Sequence, residues 1–231
     1  MIGILVALAI SWGLVYFIEK KNLLVLGFLP IGKKIIQFLI GFIITAVLCV
    51  IVQYWESILS SSILSINKDT SLRQITSMLW WDFRSVITEE LIFRGAILYI
   101  LIKKLNGIWA VIISAIAFGI YHWFSFGVFG DIVPMIFVFI GTGLSGYAWA
   151  LAFYKTNSIL MPIGLHLGWN FTHNTIFSQG PLGDGLIVSV GGTNITDWFS
   201  LVGLLLIPTL TLVVIKYAIP NENQRQLVKA N

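Results

Sequence analysis

The sequence has few charged residues and almost no cysteine, and each shortage excludes a class of protein. Only 10% of the 231 residues are charged, against about a quarter in a typical soluble domain. The single cysteine, Cys49, excludes an internal disulfide and a thiolate metal cluster within this chain. Hydrophobic residues make up 58% of the sequence, and the mean hydropathy is +0.93. This composition excludes a soluble globular domain and indicates a membrane protein.

Long apolar runs recur along the whole sequence. Each is about 20 residues long, the length that an α-helix needs to cross a bilayer. They predict an all-α fold, namely a polytopic membrane helix bundle of about seven transmembrane helices that forms a single membrane domain, 1–231, in the cell membrane. The first run lacks a basic n-region and a small-residue cleavage site, so we interpret it as a retained helix. The predicted spans are 2–18, 35–54, 75–102, 108–128, 133–154, 158–177 and 198–217.

The lysines and arginines predict an orientation for these spans, because cytoplasmic loops carry an excess of both residues. If seven spans alternate, two basic residues, Lys68 and Arg73, fall on one side of the membrane. We therefore expect the N-terminus outside and the C-terminus inside. Since basic residues act here as topology signals, the net charge of +4 does not indicate a nucleic-acid partner. The ten on the crowded side are Lys20, Lys21, Lys33, Lys34, Lys103, Lys104, Lys155, Lys216, Arg225 and Lys229.

The third predicted span contains ionisable residues that do not fit a simple lipid-facing helix. A charged group at the bilayer centre costs a few kcal/mol on insertion scales, so it normally faces a polar interior and indicates function. Asp82 and Arg84 lie near the end of the span, where we interpret them as an ion pair that joins helices. The spacing of Glu90 and Arg94 predicts an ion pair on one helix face. Glu89 lies about 100° around the helix from Glu90 and needs another partner.

Two further spans carry histidines. His122 follows Phe118 by four residues in the fourth span, and Asn170 follows His166 by four in the sixth. His173 is interpreted as a histidine with an interhelical partner, and Pro162 predicts a kink one turn before His166. Glu89, His122, His166 and Asn170 are therefore expected to converge in one cavity. The motif-bearing catalytic core is expected within about 75–178.

The chemistry available to such a cluster is hydrolytic. A carboxylate beside an imidazole can take a proton from water and make it a nucleophile. A second imidazole and an amide N–H can stabilise an oxyanion that forms on a carbonyl. An alternative is a Zn²⁺ site with Glu89, His122 and His166 as ligands. The sequence has no H-E-x-x-H helix, and Asn170 is a poor zinc ligand, so we expect no cofactor.

Three motifs resemble those of one known family. Glu89-Glu90-Leu-Ile-Phe-Arg94 resembles the EExxxR motif of the CPBP family, which includes CAAX prenyl endopeptidases and bacteriocin-processing proteins. Phe118-Gly-Ile-Tyr-His122 resembles its FxxxH motif, and His166-Leu-Gly-Trp-Asn170 resembles its HxxxN motif. The three occur in the family's order over roughly 80–175.

The resemblance implies an intramembrane glutamate-type endopeptidase, a class long described as metalloproteases. It implies that Glu89 and His122 activate water, that His166 and Asn170 hold the oxyanion, and that Glu90 and Arg94 shape the site. Phe118 is expected beneath the site, where it either orients His122 or belongs to the plain core. The expected partners are membrane lipid and a peptide or lipidated protein substrate, either prenylated or of the bacteriocin type.

Two other functions compete with the peptidase at this point. In a small-solute transporter or channel, the same buried charges would line a permeation path. That function predicts symmetric halves with broken helices, and the sequence shows no such repeat. In a non-catalytic membrane protein for peptide binding or immunity, the cavity would bind a peptide without cleaving it. The sequence does not discriminate between this function and the peptidase.

Overall fold

The computed structural model describes residues 2–193, 195 and 197–222. Arg225 and Lys229, two of the ten residues in the orientation prediction, lie outside these described residues. The described chain is predominantly helical. A 3-10 turn, Leu23–Leu26, follows the first helix, and a π-helix, Phe171–Ile176, continues the seventh. The α-helices are α1 (Ile2–Glu19), α2 (Ile31–Ser60), α3 (Leu72–Phe93), α4 (Ala96–Lys104), α5 (Gly107–Ser125), α6 (Ile132–Thr156), α7 (Leu160–Asn170) and α8 (Asp197–Ala218).

Four helices within the described residues are long and apolar enough to cross a membrane, namely α1, α2, α5 and α6. They lie where the first, second, fourth and fifth spans were predicted. A shorter apolar stretch of α8, Gly203–Ala218, lies in the seventh. Their outer faces carry exposed large apolar side chains such as Ile43 and Trp109. An apolar outer surface of this extent is typical of a protein that is surrounded by lipid rather than water.

The third predicted span, 75–102, is not one helix, and this part of the prediction is wrong. The helix α3 ends at Phe93, because the next residue, Arg94, leaves the helical region with a φ of −118° and a ψ of 5°, and α4 begins after Gly95. A Cβ at position 95 would lie 2.1 Å from the carbonyl oxygen of Leu91, so the break requires glycine. The carbonyl oxygen of Phe93 accepts a hydrogen bond from Ser114 Oγ of α5 at 2.9 Å. The break is therefore fixed by packing against a neighbouring helix.

The prediction of an all-α fold agrees with a predominantly helical structure, but it did not include one small feature. The described residues include an antiparallel pair of short strands, β1 (Ile63–Ile66) and β2 (Ile187–Val190). Their register pairs Ile63 with Val190 and Ile66 with Ile187. Isoleucine and valine fit the pleated surface of a strand, which favours this pairing over a helix. The strands connect two loops at one end of the helix bundle.

The sixth predicted span is irregular, but its irregularity does not come from Pro162. That residue lies in the first turn of α7, where the missing N–H would have no partner within the helix. The predicted kink is therefore wrong. The irregular part is the π-helix, Phe171–Ile176, which starts directly after Asn170. Such π-bulges occur frequently at functional sites.

Close packing against α2 fixes the position of α7. A Cβ at Gly164 would lie 2.1 Å from the carbonyl oxygen of Phe38, so the two backbones approach as closely as glycine allows. Thr45 Oγ1 donates a hydrogen bond to the carbonyl oxygen of Leu165 at 2.6 Å. Small residues and cross-helix hydroxyl bonds of this kind are what join helices in a membrane. They hold His166, the next residue, in a defined position.

Two buried lysines cap helix ends on the side of the bundle where α1 ends and α2 begins. Lys34 Nζ donates to the carbonyl oxygens of Thr156 and Asn157, at 2.9 and 3.2 Å, at the C-terminus of α6. Lys155 Nζ donates to two carbonyl oxygens at the C-terminus of α8, both at 2.7 Å. The last carbonyls of a helix lack partners within it and carry partial negative charge, so a lysine stabilises them. These bonds hold the lysine-bearing ends of α2, α6 and α8 close together.

Candidate active site

A buried ion pair lies at the point where α3 ends. Glu90 and Arg94 have no solvent-exposed surface, and Arg94 Nη1 donates to Glu90 Oε1 at 3.2 Å, as the four-residue spacing predicts. The guanidinium also packs over the ring of Phe118, with its Cζ 4.1 Å from the ring centroid. Gly146 of α6 leaves room for this stack, since a Cβ there would lie 3.0 Å from the Phe118 ring. The charge of Arg94 is thus balanced by a carboxylate and a ring face.

His166 is held by the same carboxylate. Its Nδ1 lies 2.9 Å from Glu90 Oε1, and its ring stacks on Trp149 with centroids 4.1 Å apart. Because Glu90 already accepts from Arg94, we assign the Nδ1 proton to His166, which donates it to the carboxylate. The assignment leaves Nε2 directed towards Glu89, 4.0 Å from its Oε2.

His122 has a similar arrangement on α5. Its Nδ1 lies 2.8 Å from the carbonyl oxygen of Phe118, one turn earlier, and its ring packs on the Phe118 ring at 4.3 Å. A carbonyl oxygen can only accept, so Nδ1 carries the proton and Nε2 is unprotonated in the neutral ring. That Nε2 also lies 4.0 Å from Glu89 Oε2. Phe118 therefore orients His122 through its backbone and its ring together.

Glu89 lies between the two histidines. Its Oε1 accepts a hydrogen bond from Ser85 Oγ, one turn earlier on α3, at 3.2 Å. Its Oε2 is buried, and no described protein group donates to it. The Nε2 atoms of His122 and His166 are both too far for a direct hydrogen bond, but each distance is one that a single water bridges. Three polar atoms from three helices thus face one point.

A cavity of about 580 Å³ opens beside Glu89. Its walls are the first residues of α1, the face of α3 from Trp81 to Glu89, and Tyr121 of α5. The rings and aliphatic side chains make the walls largely apolar, while Arg84, Ser85 and Thr88 supply polar groups. A mostly apolar pocket with a few polar groups is typical of a ligand site.

Asn170 is the least defined member of the predicted set. It lies half-buried at the end of α7, one turn after His166, and its side chain makes no hydrogen bond to another described residue. The structure brings together Glu89, His122 and His166. Asn170 lies one turn after His166 on α7, and this position on the helix is what places it near the other three residues. His173, on the π-helix, bonds to Asn174 at 3.2 Å and stacks on Trp169.

Asp82 and Arg84 do not form the predicted ion pair, and that interpretation is wrong. Asp82 is fully buried and accepts hydrogen bonds from Asn174 Nδ2 at 2.7 Å and from Thr175 Oγ1 at 3.0 Å. It joins α3 to the π-helix through neutral donors. Arg84 is exposed and lines the cavity.

Several residues of the site carried no clear signal in the sequence. Trp149 stacks on His166, Tyr121 lines the cavity, and Ile2 and Ile4 of α1 form part of its wall. Aromatic and aliphatic residues are common in every apolar helix, so no pattern distinguishes these. Ser85 could have been found, because it precedes Glu89 by four residues and so lies on the same helix face.

The side chains do not fit a bound zinc ion as they are arranged. Among the described residues, no group of three or more His, Cys, Asp or Glu side chains has the geometry to hold a metal. Tetrahedral zinc with bonds of about 2.0–2.2 Å needs ligand atoms about 3.3 Å apart, whereas both Nε2 atoms lie 4.0 Å from Glu89 Oε2. The Nδ1 partners, in contrast, are of the kind that orients metal-bound histidines.

Comparison with known proteins gives one match. Residues 72–172 match the family model described as Rce1-like, type II CAAX prenyl endopeptidase. All three motifs lie inside this segment, so the family resemblance drawn from them is confirmed. A search of curated proteins found no match, and a search of solved structures found none either.

Proposed function

We propose that the protein is an intramembrane endopeptidase that uses Glu89 to activate water, because residues 72–172 match the model of the Rce1-like, type II CAAX prenyl endopeptidase family. Its substrate is a membrane-associated peptide, either a prenylated protein or a bacteriocin-type peptide. One observation carries the proposal. Glu89 Oε2 is buried without a direct partner and lies 4.0 Å from the Nε2 atoms of both His122 and His166.

The arrangement supports the following reaction. A water between these three atoms gives a proton to Glu89 while its oxygen attacks the carbonyl carbon of the scissile bond. His122 is already fixed with an unprotonated Nε2, which accepts a hydrogen bond from the water and positions it. The proton on Glu89 passes to the leaving nitrogen when the C–N bond breaks. The products are a new carboxyl terminus and a new amine.

The oxyanion is the remaining charge to be stabilised. Since Nδ1 of His166 already donates to the Glu90 carboxylate, His166 donates to the oxyanion from Nε2 in the form that carries a proton on each ring nitrogen. The amide N–H of Asn170, one turn away, supplies a second donor. Each such donor contributes about 3–4 kcal/mol to transition-state stabilisation in other hydrolases. The Glu90 side chain thus contacts both Arg94 and His166, and it orients His166 within the site.

We also propose a multi-pass location in the cell membrane, with seven spans, the N-terminus outside and the C-terminus inside. The lysine caps support this topology, because they bring the lysine-bearing ends of α2, α6 and α8 together. An ion pair between Lys104 and Glu19, at 3.5 Å, adds the ends of α4 and α1 to the same side. Basic residues gathered at one face are expected of the cytoplasmic side.

The proposed activity can be tested without knowing the substrate in advance. Membranes from cells with the wild-type protein are compared by mass spectrometry with membranes that contain the Glu89→Gln variant at equal abundance. We expect at least one membrane-associated protein or peptide to be truncated only with the wild type. Identical truncation patterns in the two membranes would refute the peptidase and favour the non-catalytic peptide-binding function.

Hydrolysis is expected to need no metal and to depend on Asn170. The Asn170→Ala variant removes one oxyanion donor and should lower kcat by about 10²–10³-fold. Turnover is measured for wild type and variant before and after prolonged chelation, and the metal content of the active protein is measured by elemental analysis. Near-stoichiometric zinc, with activity lost on chelation and restored by zinc, would contradict the metal-free mechanism. The family match would stand after that result.

A further inference from the structure

Arg84 is a cation in the wall of the cavity beside Glu89. Its side chain is exposed, and it makes no ion pair with a carboxylate of the described residues. The neighbouring carboxylate that could have neutralised it, Asp82, is instead buried against Asn174 and Thr175. Arg84 is thus available to an anion in the cavity.

The position of Arg84 relative to Glu89 defines a distance along the cavity. The two residues are five apart on α3, which corresponds to about 7.5 Å along the helix axis. Ser85 and Thr88 lie between them on the same cavity wall. An extended peptide advances about 3.3 Å per residue, and the arginine side chain extends the reach further. A peptide cleaved beside Glu89 therefore places a group two to four residues away at Arg84.

We infer that Arg84 binds a carboxylate of the substrate peptide, two to four residues from the scissile bond. The inference rests on the proposed peptidase function and adds a specificity-determining residue to it. A guanidinium binds a carboxylate through two parallel hydrogen bonds, which fixes the orientation of the bound group. Glu89, at the other end of the same wall, repels a carboxylate. The two charges together set the direction in which the peptide lies.

The experiment measures binding separately from hydrolysis, in full-length protein that carries Glu89→Gln. The probe is a fluorescent prenylated CAAX peptide in three forms. The free acid has a C-terminal carboxylate, and the plain amide has a C-terminal amide instead. The glutamate amide also ends in an amide, but its last residue is glutamate, which supplies a side-chain carboxylate. Each form is titrated against this protein and against two further variants of it, Arg84→Gln and Arg73→Gln. Arg73 is the matched control, because it is an exposed arginine of the same helix that does not line the cavity.

The free-acid peptide is expected to bind about 10–100-fold more tightly than the plain amide, the range for a hydrogen bond to a charged group. Arg84→Gln should bring this ratio to about 1, and Arg73→Gln should leave it unchanged. Tight binding of the glutamate amide would identify an acidic side chain as the source of the carboxylate, and weak binding would identify the C-terminus. Equal affinity of all three forms, equal effects of the two arginine variants, or no binding at all would overturn the inference.

Hydrolysis by the protein with Glu89 intact separates this inference from the proposed function. If the free-acid peptide binds preferentially but is never cleaved, the peptidase function fails and the role of Arg84 stands. If all three forms of the peptide are cleaved with equal kcat/KM, the peptidase function stands and the role of Arg84 fails.

Discussion

The Glu89→Gln variant is expected to lose turnover by about 10²–10⁴-fold, the usual contribution of a general base. Glutamine has nearly the same shape and keeps the hydrogen bond from Ser85, but it cannot take a proton from water. Since Glu89 makes no ion pair shorter than 4.0 Å with either histidine, the fold should be little affected. Turnover is measured in proteoliposomes with the cleaved peptide that the membrane comparison identifies.

The matched control for this variant is Glu56→Gln, because Glu56 is a carboxylate of α2 that does not line the cavity. It should keep wild-type kcat. Melting temperatures of the wild type and Glu89→Gln should agree closely. A Glu89→Gln protein that retains wild-type turnover would exclude Glu89 as the base, whatever its stability.

The Glu90→Gln variant is expected to be destabilised by about 3–5 kcal/mol, the cost of leaving one member of a buried ion pair without its partner. Arg94 has no exposed surface, and Glu90 supplies its ion-pair partner as well as the acceptor for His166 Nδ1. Glutamine keeps one oxygen that both donors can share, as they share Glu90 Oε1, but it offers no charge to the guanidinium. The free energy of unfolding, measured in detergent by chemical denaturation, should therefore fall strongly.

A double-variant cycle separates the pair from the individual residues. The Arg94→Met variant leaves Glu90 without its arginine partner and should also be unstable, while Glu90→Gln combined with Arg94→Met leaves neither charge buried. The double variant should be more stable than the sum of the two single losses predicts. Additive losses would show that Glu90 and Arg94 act independently, and the interpretation of Glu90 as an architectural residue would then be wrong.

Helix spacing was sufficient to predict the pairs that lie on one helix. Four residues separate Glu90 from Arg94 and Phe118 from His122, and in both cases the structure shows the expected contact. The grouping of Glu89 with both histidines was also predicted, because a polar group within an apolar helix needs a polar neighbour. These predictions depend only on the geometry of a regular helix and on the cost of burying charge.

Departures from regular structure were not predictable in the same way. The break at Gly95 depends on a close approach to Leu91 and on Ser114 of a different helix. The strands β1 and β2 are four residues each and pair across more than 100 residues of sequence, so neither gives a local pattern of useful length. The partners of Asp82, Asn174 and Thr175, lie on the π-helix. A prediction that assumes regular α-helical spacing does not place these two residues next to Asp82.

The π-helix, Phe171–Ile176, determines how many residues separate His166 from Asn174 and Thr175, the two residues that donate hydrogen bonds to Asp82. A π-turn contains one residue more than the corresponding α-turn. Deleting one residue from Phe171–Ile176 would restore an ordinary helix and rotate everything beyond it by about 100°. Asn174 and Thr175 would then turn away from Asp82, which would be left as a buried carboxylate without donors. The spacing of eight positions from His166 to Asn174 is therefore fixed by two requirements. His166 must reach Glu90, and Asn174 and Thr175 must reach Asp82. A chain with one residue more or fewer between them cannot meet both requirements.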